Sequence, residues 1–385
     1  MRKAYYIDTF SVGHMHEMYD ASSLKMFCSL YDEIDYYARR DSIKNVSEML
    51  GKLPSNVKVH HILLVSHYGR FVRLRSLLKQ VLATLWNLYY VIKSPYDTDV
   101  IINYNTVIAL YPLNWLCKIL KKRVLIVCHG EMLELEERNP VSPLFKHSIR
   151  FFKRSNIRVA KTLWFAVLGN GIRKNVIPLV TPQIREKLLS FDHSAIFSNV
   201  IAKRKSTSSG KLVLGYIGGY RVSKGADIYL QLARNFKDNP NVEFRIIGNI
   251  GDKRKLLECA GVTIPDGVGN YFLSREELYS NILDLDYAVY CLPPEGYRFT
   301  ASGSVFDAID CNTPIIALHN DYLDNMFETC GEFGYLEDNV EALKGRIAWL
   351  LNNKNEISWN WERVRHCLSP ECAAKAFSKS KWKEI

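Results

Sequence analysis

Two glycines and two basic residues follow an apolar segment in the second half of the chain. Gly218 and Gly219 come directly after Leu212–Ile217, and Arg221 and Lys224 lie within the next five residues. Glycine lets the backbone turn sharply and approach a ligand, while basic side chains beside a helix N-terminus favour an anion. The pattern predicts a phosphate site at this turn. The alternative is an ordinary strand–helix turn with exposed bases.

A second polar loop follows the apolar segment Tyr287–Leu292. Its candidate residues are Glu295, Arg298, Ser302, Gly303, Ser304 and Asp307. We expect a helix to start near Gly303, where backbone amides can face a phosphate and Arg298 can pair with that phosphate through two hydrogen bonds. Asp307, one turn into this helix, is placed to accept two vicinal hydroxyls, as of a ribose. The alternative is that Ser302 only caps the helix and Asp307 is a solvated acid.

The elements that must position these residues alternate between short apolar segments and helical stretches. In the first half, the expected strands are Ala4–Asp8, Val57–Val65, Val100–Tyr104, Val124–Cys128 and Trp164–Leu168, and the expected helices are His16–Leu30, Ser42–Leu50 and Phe71–Tyr90. In the second half, the expected strands are Leu212–Ile217, Phe244–Ile247, Tyr287–Leu292 and Pro314–Leu318, with helices starting near Ser223, Arg275, Gly303 and Asn339. Such alternation predicts an α/β protein with doubly wound parallel sheets.

Together the two loops resemble the carboxyl-terminal domain of retaining GT-B glycosyltransferases of family four (glycosyl transferases group 1). The shared pattern is Gly218-x5-Lys224-Gly225, then Pro293-x-Glu295-Gly296-Tyr297, and then Asp307-Ala308-x2-Cys311-x-Thr313-Pro314-Ile315-Ile316. The resemblance covers residues 211–353 and reaches the first half only in outline. It implies two Rossmann-like domains facing a cleft. It also implies transfer of a sugar from a nucleotide-diphosphate sugar to a glycan or lipid-linked acceptor, in bacterial polysaccharide or glycolipid synthesis.

The resemblance also implies roles for single residues. Lys224 corresponds to the family's diphosphate-binding lysine, Asp307 to the acid that holds the ribose, and Glu295 to the acid that faces the donor sugar. This chain departs from the family in having Asp rather than Glu at 307, and the spacing from Glu295 is four residues longer. Gly219 stands where the family has an arginine, so that Arg221 or a second arginine, at 298, would take its place. The donor sugar stays open, and retention of configuration is favoured over inversion.

In the first half, a strand delivers a histidine to the edge of the sheet where ligands bind. His129 follows Val124–Cys128, and its position resembles that of the family's histidine that contacts the donor sugar, whereas a lone histidine is usually structural. Glu131 would assist His129 or bind the acceptor. Gly13, after the first strand, matches the family's glycine loop beside the donor phosphates. His16 is an acceptor-side candidate or a surface residue.

No metal or cofactor is expected. The sequence has no His-Glu-x-x-His motif and no cysteine cluster of the kind that binds zinc. Lys224, Arg221, Arg298 and the amides of residues 302–304 are predicted to stabilise the leaving diphosphate electrostatically. The resemblance implies that the acceptor hydroxyl passes its proton to the leaving phosphate, so that no dedicated base is needed.

The net charge of +11 comes from the first half of the chain. Residues 1–200 carry 28 Lys and Arg against 16 Asp and Glu, while residues 201–385 carry 23 against 24. A basic half favours an anionic partner, and we favour a membrane surface or a lipid-linked acceptor over nucleic acid, although charge can serve solubility alone. Between Lys146 and Lys187, ten basic residues stand against the single acid Glu186. The helical segment 144–154 is the predicted contact with an anionic inner leaflet. The alternative is a core helix with a solvated basic flank.

The length of 385 residues indicates two domains. We expect an acceptor-side domain at 1–200, a nucleotide-sugar-binding domain at 201–370, and a helical tail at 371–385 that packs back on the amino-terminal domain. The polar stretch Lys203–Gly210 is the expected linker. Nine cysteines without a Cys-x-x-Cys pair, and no signal or spanning segment, favour a cytoplasmic protein with peripheral contact to the inner membrane.

Three other functions stay open at this point. A sugar-nucleotide epimerase of the same fold would isomerise its substrate without an acceptor. A DNA-modifying glycosyltransferase would bind with a steep dependence on salt. A non-catalytic partner subunit is favoured only by the altered spacing of the two acids.

Overall fold

The computed structural model of the chain describes residues 2–13, 16–65, 71–137, 143–198, 210–269, 273–293, 297–353 and 358–383. The chain divides into two compact units. Unit 1 comprises Met1–Ile196, Phe299–Ala301 and Leu368–Ile385, and unit 2 comprises Phe197–Arg298 and Ser302–Cys367. The expected linker at 203–210 lies outside the described residues except for Gly210.

Unit 1 contains a sheet of seven parallel strands. They are β1 (Lys3–Asp8), β2 (Glu33–Ala38), β3 (Val57–His61), β4 (Thr98–Tyr104), β5 (Val124–Val127), β6 (Leu163–Leu168) and β7 (Leu188–Phe191). Their order across the sheet is β3-β2-β1-β4-β5-β6-β7, with Ile7 of β1 opposite Tyr37 and Ile102 on its two neighbours. The central strands β4, β5 and β6 are buried along their whole length, as expected of a parallel sheet covered on both faces. The strand order reverses between β1 and β4, and this is the switch point of the sheet.

Seven helices of unit 1 precede the second sheet. They are α1 (Glu17–Cys28), α2 (Arg40–Met49), α3 (Val72–Lys93), α4 (Leu110–Leu120), α5 (Pro143–Lys153), α6 (Asn170–Val176) and α7 (Pro182–Glu186). In α5, Ser148, Phe151 and Phe152 are buried while Phe145 and Ile149 are only half-buried. The basic residues Lys146, Arg150 and Lys153 of α5 are exposed, so the basic side of this helix is solvated.

Unit 2 repeats the architecture with six parallel strands. They are β8 (Leu212–Ile217), β9 (Val242–Ile247), β10 (Val262–Thr263), β11 (Tyr287–Tyr290), β12 (Ile315–Leu318) and β13 (Gly334–Glu337). Their order is β10-β9-β8-β11-β12-β13, so the switch point lies between β8 and β11. The helices are α8 (Ala226–Asn235), α9 (Arg254–Cys259), α10 (Arg275–Leu283), α11 (Ser304–Asp310), α12 (Asp321–Cys330), α13 (Val340–Asn352) and α14 (Trp361–Cys367). The expected pair of doubly wound α/β domains is confirmed.

The carboxyl-terminal segment belongs to unit 1. Its helix α15 (Pro370–Phe377) places Phe377 against Phe27 of α1 and Phe191 of β7, with ring centroids 5.8 and 5.6 Å apart. Beyond the helix, the fully buried indole of Trp382 donates a hydrogen bond to the hydroxyl of Tyr31 at 2.9 Å. The last residues of the chain therefore help to form the core of the first unit.

Candidate functional site

The first turn at the switch point of unit 2 connects β8 to α8. Gly218 has φ +118° and Gly225 has φ +72°, conformations that other residues rarely adopt. A Cβ atom on Gly225 would lie 1.8 Å from the carbonyl oxygen of Cys291, so this glycine lets the turn pass directly against the end of β11. Between the two glycines, Val222–Lys224 form a short 3-10 turn. The glycines thus fix the backbone beside the switch point.

Lys224 and the start of α11 converge on this turn. A Cβ atom on Gly218 would lie 3.8 Å from Nζ of Lys224 and 4.0 Å from Cβ of Ser304. Burial lowers the pKa of Lys224, the charge of Arg221 lowers it further, and the carboxylate of Asp307 raises it. An anion bound at this edge of the sheet would offset both unfavourable effects. The structure therefore brings Gly218, Lys224 and Ser304 together.

Arg221 and Arg298, the two arginines predicted to bind phosphate, lie in the loop after β8 and in the loop before α11, respectively. Burial raises the pKa of Tyr297 to about 12, and the nearby charge of Arg221 opposes that rise. Arg221 itself is exposed, and Arg298 is half-buried in the loop that leads to α11. Glu295 lies outside the described residues, and so does the loop segment immediately before Tyr297.

Asp307 is held by an arginine that the sequence analysis did not single out. Nη1 of Arg275 donates to Oδ1 of Asp307 at 2.8 Å, and the side chain of Asp307 is 16% exposed. Arg275 opens α10, whose N-cap Ser274 forms a capping box with Glu277. The ion pair fixes the orientation of the carboxylate that the sequence assigned to a ribose. The sequence analysis expected a helix to start near Arg275 but gave no sign of this pairing.

The serine loop before α11 is anchored by two tyrosines. The hydroxyl of Tyr290 donates to the carbonyl of Ser304 at 2.7 Å, and the hydroxyl of Tyr322 donates to the carbonyl of Ser302 at 3.4 Å. Ser302 is buried, and its hydroxyl lies 3.4 Å from that of Ser304. A Cβ atom on Gly303 would meet open space, so a glycine is not required there by crowding. A Cβ atom on Gly219, the second glycine of the first turn, would lie 3.6 Å from the carbonyl oxygen of Asn249, which is an ordinary contact.

In unit 1, His129 is separated from the end of β5 by Cys128. Its ring stacks on Tyr104 at a centroid distance of 4.1 Å, and the ring of Tyr19 meets it edge-on at 4.7 Å. Burial lowers the pKa of His129 well below its usual value, and the nearby rings of His16 and His193 lower it further. The imidazole is therefore neutral near pH 7. Its Nε2 is shielded from solvent and has no hydrogen-bond partner among the described residues.

Glu131 is a buried carboxyl group beside His129. Its Oε2 accepts hydrogen bonds from the backbone amides of His129 at 2.9 Å and Gly130 at 3.1 Å. Burial raises the pKa of Glu131 to about 7, and these backbone hydrogen bonds oppose the rise. Its Oε1 is buried and has no partner in the part of the chain that the structure describes. Glu131 thus fixes the backbone at His129 through one oxygen and leaves the other without a partner among the described residues.

Gly13 and His16 lie in the loop between β1 and α1. Gly13 has φ +61°, and its amide donates to Oδ2 of Asp41 at 3.0 Å. The exposed ring of His16 lies 5.3 Å from that of Tyr104 and 6.4 Å from that of His129. His16 is thus exposed and lies near His129, and its acceptor-side role stays a prediction.

A cavity of about 450 Å³ opens at this edge of the unit 1 sheet. Its walls include Phe10, His16, Lys79, Tyr104, His129 and Glu131. Lys79 is 4% exposed, and its Nζ lies 4.0 Å from the ring centroid of Phe10. Burial lowers the pKa of Lys79 to about 8, while Asp8 raises it and Arg39 lowers it. Sequence reasoning missed Lys79 and Phe10, because one lies inside a long apolar helix and the other carries no chemistry by itself.

Two Asp-x-Asp triplets occur in the chain, a motif used by some metal-dependent transferases, but both lie at the amino ends of strands. Asp99 at the start of β4 pairs with Arg123 at 3.2 Å and accepts a hydrogen bond from Tyr31 at 2.7 Å. Asp286, just before β11, accepts from the amide of Val213 at 2.7 Å. These carboxylates support the sheets at the edge opposite the two switch points. In the described ranges, no group of three or more His, Cys, Asp or Glu residues is placed to hold a metal ion.

Comparison with known proteins identifies the fold. No protein-family profile matches the chain, and no curated protein sequence matches it either. Among solved structures, HepE of Anabaena in complex with UDP aligns over 100% of both chains, with a TM-score of 0.64 and 12% identity. The lipopolysaccharide outer core galactosyltransferase WaaB in its apo form also aligns over 100% of both, with a TM-score of 0.61 and 14% identity.

A third structure is a variant of TarM from S. aureus in complex with fondaparinux, alpha-GlcNAc-glycerol and UDP. It aligns over 100% of this chain and 98% of its own, with a TM-score of 0.58 and 12% identity. This chain has the GT-B fold. The resemblance to GT-B enzymes found in the sequence is confirmed for the fold, and identities this low extend to nothing finer.

Proposed function

We propose that this chain is a glycosyltransferase that moves a sugar from a nucleotide-diphosphate sugar to a glycan or lipid-linked acceptor, in bacterial surface polysaccharide or glycolipid synthesis. The observation that carries the proposal is the meeting of Lys224 and Ser304 at Gly218, at the switch point of the unit 2 sheet. Ligands of doubly wound sheets bind at such switch points. HepE and TarM, which share the fold, are described in complexes with UDP.

We assign the nucleotide to unit 2. Lys224, Arg221 and Arg298 would oppose the negative charge that grows on the diphosphate as the sugar leaves, without a metal ion or another cofactor. Asp307, oriented by Arg275, would accept the ribose hydroxyls. Glu295 would face the donor sugar, as in the family that the sequence resembles.

We assign the reacting sugar and the acceptor to unit 1. In a retaining transfer, the bond from the anomeric carbon to the diphosphate oxygen breaks and a bond to the acceptor oxygen forms. The proton of the acceptor hydroxyl passes to the departing phosphate. Neutral His129 can hydrogen-bond a sugar hydroxyl without adding charge, and Oε1 of Glu131 can receive an acceptor hydroxyl.

The cytoplasm is the compartment we infer for this reaction. All nine cysteines are free thiols, which is typical of proteins in a reducing compartment. Within the described residues, no helix is both long enough and apolar enough to cross a bilayer. Contact with the membrane would therefore be peripheral in this part of the chain.

The test is a panel of nucleotide sugars followed by thermal melting and product analysis. At least one donor should raise the melting temperature with EDTA present, and an acceptor should then release nucleoside diphosphate and gain the sugar. Arg298→Ala should reduce the stabilisation, whereas Lys255→Ala, an exposed lysine of α9, should leave it unchanged. Isomerised donor without acceptor would make the chain an epimerase. Failure of every donor to bind would overturn the proposal.

A further inference from the structure

Helix α3 turns its polar residues inward. Lys79, Thr84 and Asn87 are all buried on the face that packs against the sheet. The hydroxyl of Thr84 lies 2.5 Å from that of Thr106, and the hydroxyl of Thr9 donates to Oδ1 of Asn87 at 3.3 Å. This inner face is therefore held by hydrogen bonds rather than by a row of leucines.

The opposite face of α3 is a continuous apolar surface exposed to solvent. Its exposed side chains are Leu74 (57%), Leu77 (52%), Leu78 (45%), Val81 (42%), Leu85 (57%), Tyr89 (46%) and Ile92 (55%). The spacing of three or four residues puts them in one row, which we call the α3 stripe, along about 27 Å of helix. Single exposed leucines are common, but a row of this length marks a surface that meets another apolar phase.

The neighbouring helix α4 extends this surface. It packs beside α3 and exposes Trp115 (61%) and Ile119 (55%). Neither helix contains an Asp or a Glu, and exposed Arg75, Lys93 and Lys118 lie along them. Leucine-rich helices with aromatic side chains and only basic charges fit the boundary of an anionic lipid layer. A soluble protein partner would not require this exclusion of acidic residues.

We propose that the α3–α4 surface docks unit 1 on an anionic lipid layer and that the acceptor is anchored in the same layer. The link is α3 itself, because its inner face supplies Ser76, Lys79 and Gln80 to the cavity that contains His129. The cavity is thus separated from the docking surface by the width of a single helix. This inference deepens the proposed function, since it makes a lipid-linked molecule the acceptor class.

The structure favours α3 over the basic segment 144–154 that the sequence analysis singled out. Helix α5 buries Phe151 and Phe152 in the core and half-buries Phe145 and Ile149, so its fully exposed side chains are basic rather than apolar. The α3–α4 surface offers both. The two assignments therefore predict different effects of mutation.

The experiment is flotation of the full chain with vesicles of phosphatidylcholine alone and with anionic phosphatidylserine added. Wild type should float with the anionic vesicles. Leu78→Glu combined with Leu85→Glu should lower the bound fraction at least tenfold, with an unchanged melting temperature. A control with the same two new charges on unit 2, Gln231→Glu with Leu256→Glu, should bind like wild type. Lys146→Ser with Arg150→Ser and Lys153→Ser should change binding less than twofold.

Three outcomes would overturn the inference. Wild type could ignore anionic vesicles at low salt, the α5 variant could lose binding in place of the α3 variant, or sedimentation could show a dimer that Leu78→Glu with Leu85→Glu dissociates. Binding of nucleotide sugars from the donor panel, measured on the same samples, separates this inference from the proposed function. The α3 variant should bind the same donor as wild type does, while failure of every sample to bind any donor would count against the proposed function alone.

Discussion

The two units have the same strand order around their switch points and place different chemistry there. In unit 2, the turn after β8 gathers glycines, Lys224 and the start of α11, a set suited to a bound anion. In unit 1, the equivalent edge holds a cavity lined by aromatic rings, with neutral His129 and buried Glu131. The shared topology supplies the location, and the side chains after each strand supply the specificity.

The two units differ in the charged groups that they bury beside their switch points. Unit 2 buries a lysine whose pKa is lowered by burial and by the charge of Arg221, whereas unit 1 buries a carboxyl group whose pKa rises until it is largely protonated below pH 7. A nucleotide diphosphate brings its own charge and needs the first arrangement. A sugar hydroxyl brings none and needs the second.

The largest effect should come from the buried carboxyl group of unit 1. The folded pKa of Glu131 is about 7 and the usual value is 4.5. Below about pH 4.5, the burial of Glu131 therefore costs the folded state no stability. As the pH rises toward 7, the free energy of unfolding falls by about 3 kcal/mol. Glu131→Gln keeps an oxygen acceptor and removes the charge, so the free energy of unfolding should lose this pH dependence.

Denaturant unfolding at pH 4.5 and pH 8 measures this effect. Relative to wild type, Glu131→Gln should gain about 3 kcal/mol between the two pH values. Glu136→Gln, a change at an exposed glutamate of the same segment, should gain nothing. Parallel pH profiles for wild type and Glu131→Gln would show that the carboxyl group is not desolvated as the structure indicates.

The second effect separates turnover from nucleotide binding. His129→Ala should lower kcat about 100-fold, the size seen when one hydrogen-bonding group at a reacting centre is removed. The affinity for nucleoside diphosphate should change less than twofold, because that ligand is assigned to unit 2. His319→Ala, at an exposed histidine of unit 2, serves as the control. Equal losses in turnover and in nucleotide affinity would place His129 at the nucleotide.

How far the sequence predicted these sites depended on where each residue lies in its element. Gly218 directly follows β8, and His129 and Lys224 lie in the loops after β5 and β8, so that recognising the strands was enough to place them near the ligand edge of a sheet. Lys79 comes from the inner face of α3. An amphipathic helix ordinarily turns its apolar face to the core, whereas α3 exposes most of its leucines and buries Lys79, so the helical pattern alone gave no reason to select this lysine.

The strands that the sequence missed have equally physical reasons. In β2, the residues Glu33 and Asp35 interrupt the apolar run, and they are accommodated by contacts with Lys3, Lys58 and His60 on the neighbouring strands. Strand β10 has only two residues, and β13 includes a glycine and a glutamate among its four. Neither offers a continuous apolar run. The expected strand Val57–Val65 was too long, because the chain leaves the edge of the sheet after His61.

The third effect compares the two buried lysines. Lys224→Ala should weaken the binding of nucleoside diphosphate by about 1–3 kcal/mol, the range for hydrogen bonds to charged groups. Lys79→Ala should leave this affinity unchanged, because Lys79 lies in the unit 1 cavity. Isothermal titration with UDP measures both. A weaker affinity in Lys79→Ala together with an unchanged affinity in Lys224→Ala would reverse the assignment of the two units.

The smallest effect concerns Asp307, which has two readings. It could hold the ribose, or it could serve only as the ion-pair partner of Arg275 at 2.8 Å. Wild type should prefer UDP over 2′-deoxy-UDP by about 1 kcal/mol, the net value of one hydrogen bond. Asp307→Asn, which keeps the shape and removes the charge, should reduce this preference, whereas Asp321→Asn at an exposed acid of α12 should preserve it. If Asp307→Asn lowers the affinity for both nucleotides equally, Asp307 acts through the position of α10 and does not touch the ribose. The contrast between the units would then rest on the phosphate site alone.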